Sequence, residues 1–389
     1  MRVTLVIHGM GSGGAERVAA TMANSWAAQG WEITLITFED AACGSFYPLD
    51  KRIRFQPLGI AGTSRRLSQA IFSNGRRLLA IRRAVLASHP DVVVTYLDMV
   101  NVRVLLALAG TGVPVIVTEQ TDPGQKHLGW AWNTLRRWTY RHAARVAVLG
   151  QSSREYFPPD IRARTVILPN PIAVDQPDAD DDRAPADQKT LVAVGRLVPE
   201  KGFDLLLEAF ARVAPEHPDW RLVIWGEGPL RRDLEAQRDR LGLRSRVSLP
   251  GRTQALFREL RRADLFVMSS RREGFPMALG EAMACGLPAV SFDCRSGPRE
   301  IIRPGVDGLL VPAGDIEGLA AALSALMADD AERQRMAQRA PEVLERFSAE
   351  RVLAQWEELL ETVIRERMGQ RRIGTLVPGQ PSEKTGTSS

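Results

Sequence analysis

One rhythm constrains this chain more than anything else, and it plays twice. Short β-branched runs alternate with helix-length segments: Val3–Ile7, Glu32–Phe38, Asp91–Tyr96, Val113–Thr118, Arg145–Leu149 and Thr165–Leu168 read as strands. Strands spaced in this way by helices imply right-handed βαβ units and a parallel sheet. Pro169-Asn-Pro-Ile172 then leads into Ala173–Lys189, rich in Asp, Pro and Ala and without apolar period, which reads as a linker over 173–189. The alternation restarts beyond it. Lys189–Gly195, Trp220–Trp225, Val247–Leu249, Ala263–Ser269, Ala289–Asp293 and Leu309–Val311 read as strands, and Phe203–Ala214 as a helix with Leu206, Ala209, Phe210 and Val213 on one face. The expected fold class is therefore α/β, two tandem Rossmann-like doubly wound domains over residues 1–172 and 190–349, facing a cleft. A final helix over 350–368 is expected to pack back on the first domain, and the Gly-, Pro-, Ser- and Thr-rich 369–389 to be a disordered tail. Ligands of such sheets bind at the strand C-termini, so the active site belongs in the cleft.

Composition narrows the partners. With 44% hydrophobic and 25% charged residues over 389 positions, the chain is ordinary globular material. Its apolar stretches, such as Val104–Ala109, fall far short of the ~20 residues that span a bilayer. The opening Val3–Ile7 run is too short for a secretory signal, so a cytoplasmic location is expected. Cys43, Cys285 and Cys294 form no CxxC pair, so neither a disulfide framework nor a metal site is indicated. Charge is uneven: residues 1–172 hold 20 Lys and Arg against 11 Asp and Glu, whereas the remainder hold 31 against 35. A basic first half suits a phosphorylated ligand or an anionic membrane; no nucleic-acid reader module is present.

Three segments carry chemistry. His8-Gly-Met-Gly-Ser-Gly-Gly-Ala-Glu-Arg17 is a glycine-rich turn feeding a helix, where free N–H groups can meet a phosphate. Gly9, Gly11 and Gly14 also spell G-x-G-x-x-G, with Glu32 or Glu39 as a ribose acid, so a nucleotide-dependent dehydrogenase stays open on this loop alone. The second domain opens with Val194-Gly-Arg-Leu-Val-Pro-Glu-Lys-Gly202, where Arg196 and Lys201 could clamp a diphosphate; a solvated basic loop is the plainer reading. The third segment is Arg272-Glu-Gly-Phe-Pro-Met-Ala-Leu-Gly-Glu-Ala-Met-Ala-Cys-Gly-Leu-Pro288. Pro276 suits the first position of a short helix that Gly286 stops, and Glu273 and Glu281 bracket its anion-binding tip. Carboxylates suit vicinal hydroxyls, so a nucleotide sugar is the natural occupant.

These segments together resemble the retaining glycosyltransferases of GT-B architecture, family four, the glycosyl transferases of group 1. Glu273 and Glu281 match that family's E-x7-E signature, Gly13 to Glu16 its G-G-A-E loop, and Gly195 to Gly202 its G-R-x-x-x-x-K-G element. Trp225-Gly-Glu-Gly228, Leu249-Pro-Gly251, Gly297-Pro-Arg-Glu-Ile301 and Asp307-Gly-Leu-Leu-Val-Pro312 continue the match in order along nearly the whole chain. The resemblance implies that Arg196 and Lys201 bind the donor diphosphate, Glu281 the ribose hydroxyls and Glu273 those of the transferred sugar. It places main-chain contacts at Phe275, Pro276, Met277 and Ala278, a phosphate approach at Gly13 and Gly14, and the base near Gly226, Gly251, Arg252 and Thr253. It implies a UDP- or GDP-sugar donor, no cofactor, no metal and no covalent nucleophile. Many relatives carry a histidine after the fourth strand of the first domain; here Gln120 stands in its place.

The acceptor side is less sharply written. Asp98, Asn101, Glu119, Asp122, His127 and His8 are further polar candidates, each also readable as structural. Trp130–Arg145 mixes Trp130, Trp132 and Trp138 with Arg136, Arg137, Arg141 and Arg145, and Arg65, Arg66, Arg76, Arg77, Arg82 and Arg83 add to the surplus. Such a mixture can lie in an anionic membrane interface, or be ordinary sheet-covering helices with solvated arginines. The expectation is transfer of a hexose or N-acetylhexosamine to a glycan or lipid-pyrophosphate-linked acceptor at the inner membrane face. A sugar-nucleotide epimerase of the same two-domain form is the other alternative.

Overall fold

The structure is a computed structural model that describes residues 1–62, 67–124, 129–174 and 188–375, with backbone alone at 67–73 and 370–375. Its first sheet has seven parallel strands: β1 Arg2–Ile7, β2 Glu32–Thr37, β3 Arg54–Pro57, β4 Val92–Tyr96, β5 Val115–Glu119, β6 Arg145–Val148 and β7 Thr165–Ile167. They lie in the order β3-β2-β1-β4-β5-β6-β7. The second sheet has β8 Lys189–Val194, β9 Trp220–Trp225, β10 Val247–Gly251, β11 Leu265–Met268, β12 Ala289–Asp293 and β13 Gly308–Pro312, in the order β10-β9-β8-β11-β12-β13.

Near-continuous apolar strands follow from burial on both faces. Along β1, Val3, Leu5 and Ile7 face the layer of the first helix, Gly14–Ala28, while Val6 faces the layer that holds Ile81 and Val85 of the Leu67–Ala87 helix. The second sheet divides alike, with Leu191 and Ala193 toward Leu206, Phe210 and Val213, and Val192 toward Leu279 and Met283. Both strand orders reverse at the centre, between β1 and β4 and between β8 and β11. Reversal sends neighbouring crossovers to opposite faces and opens a crevice at the strand C-termini. The glycine-rich loop after β1, the cationic loop after β8 and the Glu273 loop after β11 all start at these two crevices.

The last helix, Ala349–Thr375, buries Val352, Leu353, Trp356, Leu360 and Val363 in the same core as Val3, Val92 and Val94. Where it leaves the second lobe the chain touches itself: the Ile172 amide donates to the Phe347 carbonyl at 2.8 Å, and the Ala349 amide to the Ile172 carbonyl at 3.1 Å. The two crossings between lobes thus share one backbone pivot. Three expectations need correction. The helix runs to Thr375, past the tail boundary expected at 369, since one exposed glycine costs a helix only about 1 kcal/mol and need not end it. Strand β3 was not expected: four residues at the sheet edge, two of them Arg and Gln, ending in Pro, give no alternation to read. The Glu273-side helix begins at Met277, with Pro276 as its cap. Residues 175–187 of the linker, 376–389 of the tail, Arg65, Arg66 and His127 lie outside the described residues. Among the described residues no helix is long and apolar enough to cross a membrane.

Candidate active site

Backbone contacts build the second lobe's crevice before any side chain enters it. Gly195 donates its amide to the Trp225 carbonyl at 3.0 Å, Leu197 to that of Glu227 at 2.9 Å, and Gly226 to that of Gly251 at 2.8 Å. Three loops are thereby stitched edge to edge. Gly226, at φ +145°, lies so close to the β8 loop that a Cβ there would stand 1.8 Å from the Gly195 carbonyl oxygen. Gly202, at φ +62°, would put a Cβ 2.1 Å from the Ser269 carbonyl oxygen. Only glycine allows these approaches, which bring the cationic loop against the carboxylate loop.

The result is a tight cluster. Lys201 Nζ lies 2.6 Å from Glu273 Oε1, and the Ser270 hydroxyl donates to the same oxygen at 2.6 Å. Glu273 is 9% exposed and Lys201 25%, so the pair is held in a recess, while Arg196 on the same loop is exposed. Glu281 lies one turn into the Met277–Ala284 helix, 1% exposed, with Arg17 Nη1 of the first lobe 2.5 Å from its Oε1. Phe275 is buried edge-on against Phe347, with ring centroids 5.3 Å apart, so its side chain belongs to the core. Met277 and Ala278 stand half-buried at the helix tip. Gly251, at φ +101°, faces Glu227, whose carboxylate is held by Arg231 at 2.5 Å. Arg252 is exposed, and Thr253 accepts from the Ala255 amide at 3.0 Å.

The first lobe closes on this cluster from above. Gln120 follows β5, and a Cβ at Gly274 would stand 2.5 Å from its carbonyl oxygen. Its side-chain Oε1 is buried and has no hydrogen-bond partner among the described residues. A buried unpaired acceptor costs about 1–3 kcal/mol, so a donor arriving in the cleft would be rewarded. Gly13 caps the first helix and Gly14 opens it, both beside the cleft. Glu16 folds back over Gly13, and burial raises its pKa against the opposing pull of Arg196.

The acceptor candidates separate. Asn101 and Glu119 are buried in one network with Tyr140: the phenol donates to Glu119 at 2.6 Å and the Asn101 amide donates to the phenol oxygen at 2.9 Å. Asp98 is buried and accepts from the Met99 amide at 2.7 Å. Asp122 reaches the second lobe, accepting from the Ser296 hydroxyl at 3.3 Å with Arg295 3.5 Å away. Of the described candidates, His8 alone is exposed. Arg136 must be removed from the surface group: it is 1% exposed, 3.7 Å from Glu119, and donates to the Tyr156 hydroxyl at 2.7 Å. Arg77 and Arg82 likewise donate to carbonyls, Ile60 and Gly62 for one, Ala107 and Ala109 for the other. Sequence reasoning missed Arg17, Ser270 and Tyr47, whose hydroxyl donates to the Gly13 carbonyl at 3.2 Å. Arg17 directly follows the Gly13–Glu16 loop, but nothing local signals a partner 264 residues away.

This geometry has company among known proteins. Residues 13–171 match the glycosyl transferase 4-like domain and residues 175–343 match the glycosyl transferases group 1. The chain belongs to the group 1 glycosyltransferases of GT-B architecture. It is 27% identical over 364 residues, 93% of its length and 99% of the relative's, to the Campylobacter jejuni GalNAc-alpha-(1->4)-GalNAc-alpha-(1->3)-diNAcBac-PP-undecaprenol alpha-1,4-N-acetyl-D-galactosaminyltransferase. It is 42% identical over 211 residues to a Streptomyces coelicolor exopolysaccharide phosphotransferase, spanning 54% of this chain but only 22% of that protein. Anabaena HepE in complex with UDP-glucose shares the fold, with a TM-score of 0.78 at 20% identity over 92% of this chain and 99% of that one. Neither an epimerase nor a dehydrogenase is favoured by this company.

Proposed function

We propose that the enzyme transfers a hexose or N-acetylhexosamine from a UDP- or GDP-sugar to a lipid-pyrophosphate-linked glycan, with retention of configuration and without a metal. One observation carries the reading: Lys201 pairs with Glu273 in the loop just before the Met277–Ala284 helix, and Glu281 is buried one turn into that helix, at the crevice between β8 and β11. A diphosphate lying on that helix tip would face Arg196 and Lys201, whose charge offsets what builds on the departing phosphate oxygen. Glu273, now paired with Lys201, would accept from hydroxyls of the sugar, and Glu281 from those of the ribose. Gln120, with its unsatisfied Oε1, would accept from a sugar hydroxyl on the other side. The proposed mechanism uses no covalent nucleophile. In a front-face exchange, the C1–O bond to phosphate breaks as the acceptor oxygen bonds C1 on the same face, and the acceptor proton passes to the leaving phosphate oxygen. The named Campylobacter jejuni relative acts on an undecaprenol-linked glycan, which supports the acceptor class.

An exposed aromatic and basic stripe supports it too. On the helix Trp130–Tyr140, Trp130, Thr134, Arg137 and Trp138 form one exposed stripe, continued by Arg141, and Trp130 is 83% exposed. Tryptophan beside arginine suits an anionic bilayer interface, so we place the enzyme peripherally on the cytoplasmic face. The test is nucleotide release from a panel of UDP- and GDP-sugars with undecaprenyl-linked glycans, with and without EDTA, followed by NMR of the product anomeric proton. Metal-independent release and a product of unchanged anomeric configuration are expected. Loss of turnover in EDTA, or inversion, would overturn the mechanism.

A further inference from the structure

The loop that follows β12, residues 294–300, is gripped by the first lobe on one side and bears on the donor site on the other. Ser296 is 5% exposed, and its hydroxyl donates to Asp122 at 3.3 Å. The Ser152 hydroxyl lies 2.9 Å from the same oxygen. A hydroxyl has a single proton, so Ser152 is the donor of that contact, and the bonds run from the first lobe through Ser296 and back to the first lobe. At the end of the loop Glu300 accepts from the Gln151 amide at 3.1 Å, and a Cβ at Gly150 would stand 2.2 Å from the same carboxylate oxygen. Toward the donor site, Gly297 at φ +97° comes so close that a Cβ there would stand 2.5 Å from Pro276 Cδ and 3.2 Å from the Gly274 carbonyl oxygen. The Met277–Ala284 helix is anchored in the core by Leu279, Ala282 and Met283, whereas Glu273 and Gly274 precede it outside any helix or strand.

We propose that Ser296 and Glu300 are positioning residues for sugar recognition: by fastening the 294–300 loop to the first lobe they hold Gly297 against Gly274 and Pro276, and so fix the backbone that carries Glu273. The inference rests on the donor-site reading above, in which Glu273 accepts from hydroxyls of the transferred sugar. A recognition group has to be held within about 0.5 Å of its working position, and a residue outside regular structure takes that precision from its neighbours. Lys201 and Ser270 hold the Glu273 carboxylate from its own lobe. The loop contacts set where its main chain stands. Ser296 and Glu300 thus act through Gly297 and not on the sugar, and the reading of the sugar becomes a joint property of both lobes. The amides at the helix tip, seated on the core, do not depend on these ties.

Calorimetric titration of the full chain tests this. UDP, GDP, UDP-glucose, UDP-N-acetylgalactosamine and GDP-mannose are titrated into the wild type, and a nucleotide sugar that binds is carried forward with its bare nucleotide. S296A combined with E300A removes both ties and should weaken the nucleotide sugar about tenfold, the scale of one or two lost hydrogen bonds, while the bare nucleotide changes by less than about twofold. E300Q keeps an oxygen that accepts from the Gln151 amide and should bind as the wild type does. In an E273Q background, adding S296A and E300A should cost the nucleotide sugar nothing further. Thermal melting checks that each variant is folded, and if the combined variant is not, E300A against E300Q makes the same comparison. Equal losses for nucleotide sugar and bare nucleotide would overturn the proposal, as would unchanged affinity without the two ties, or a full further loss in E273Q. If the wild type binds no nucleotide sugar, the donor-site reading itself fails, and this inference with it.

Discussion

Lys201 is the residue where position and chemistry are most tightly joined. Its alkyl chain lies against Gly195, with Cδ 3.2 Å from where a Cβ there would stand, and its ammonium spans to Glu273. Lys201→Ala should therefore cost about 2–4 kcal/mol of transition-state stabilisation, the scale of one lost electrostatic donor. Steady-state nucleotide release should show a kcat reduced by roughly 30- to 1000-fold with a smaller change in KM. Its place on the crevice loop was legible because glycines bracket it and a strand precedes it. Arg17 was not, since its partner is fixed by how two lobes meet, which no local pattern encodes. The thiols offer a second check. Burial, with Glu273 nearby, pushes the Cys294 pKa up to about 12, so it stays a neutral thiol at working pH, while Cys43 is exposed. Thiolates are the reactive form. Iodoacetamide labelling followed by peptide mass spectrometry should modify Cys43 in the native protein and Cys294 only after denaturation.

At the scale of elements, the strand after which Gln120 emerges stands on a buried polar base. Tyr140 bridges Glu119 and Asn101, and Arg136 closes the group from the next turn of the helix. The phenol stays protonated because burial, reinforced by Glu119, raises its pKa well above the ordinary value. Tyr140→Phe strips a donor from one buried partner and an acceptor from another, at about 1–3 kcal/mol. Urea denaturation should show that loss, and the donor KM should rise if Gln120 shifts with β5. The strands were legible from their β-branched runs; which face of the Trp130–Tyr140 helix points inward was not, because Arg136 looks like its exposed neighbour Arg137. Membrane binding belongs to this scale as well. Replacing Trp130 and Trp138 together by Ala should weaken sedimentation with phosphatidylglycerol vesicles about tenfold or more, since each large apolar side chain is worth roughly 1.5–3 kcal/mol when fully buried. Unchanged sedimentation would return that helix to the role of simple sheet cover.

For the whole molecule, the division into lobes does not follow the order of the chain. The Ala349–Thr375 helix contributes Val352, Leu353, Trp356, Leu360 and Val363 to the first lobe's core. At roughly 1.5–3 kcal/mol each these burials amount to about as much as a domain's entire stability. A chain ending at Ser348 should therefore be recovered insoluble, or soluble with a dye-binding, loosely packed first lobe, as read by circular dichroism and ANS fluorescence. The same helix was expected over 350–368, whereas its full length was not, because the residues beyond Arg367 carry no periodic signal.

That arrangement also sets a schedule for synthesis. When residue 174 leaves the ribosome, every strand of the first sheet has been made, yet the stripe that will seal it is still some 175 residues away. At about 5–20 residues per second the unfinished lobe waits roughly 9–35 s with an apolar flank open to water. A nascent chain of this design offers a chaperone its longest-lived binding surface at the lobe that was begun first.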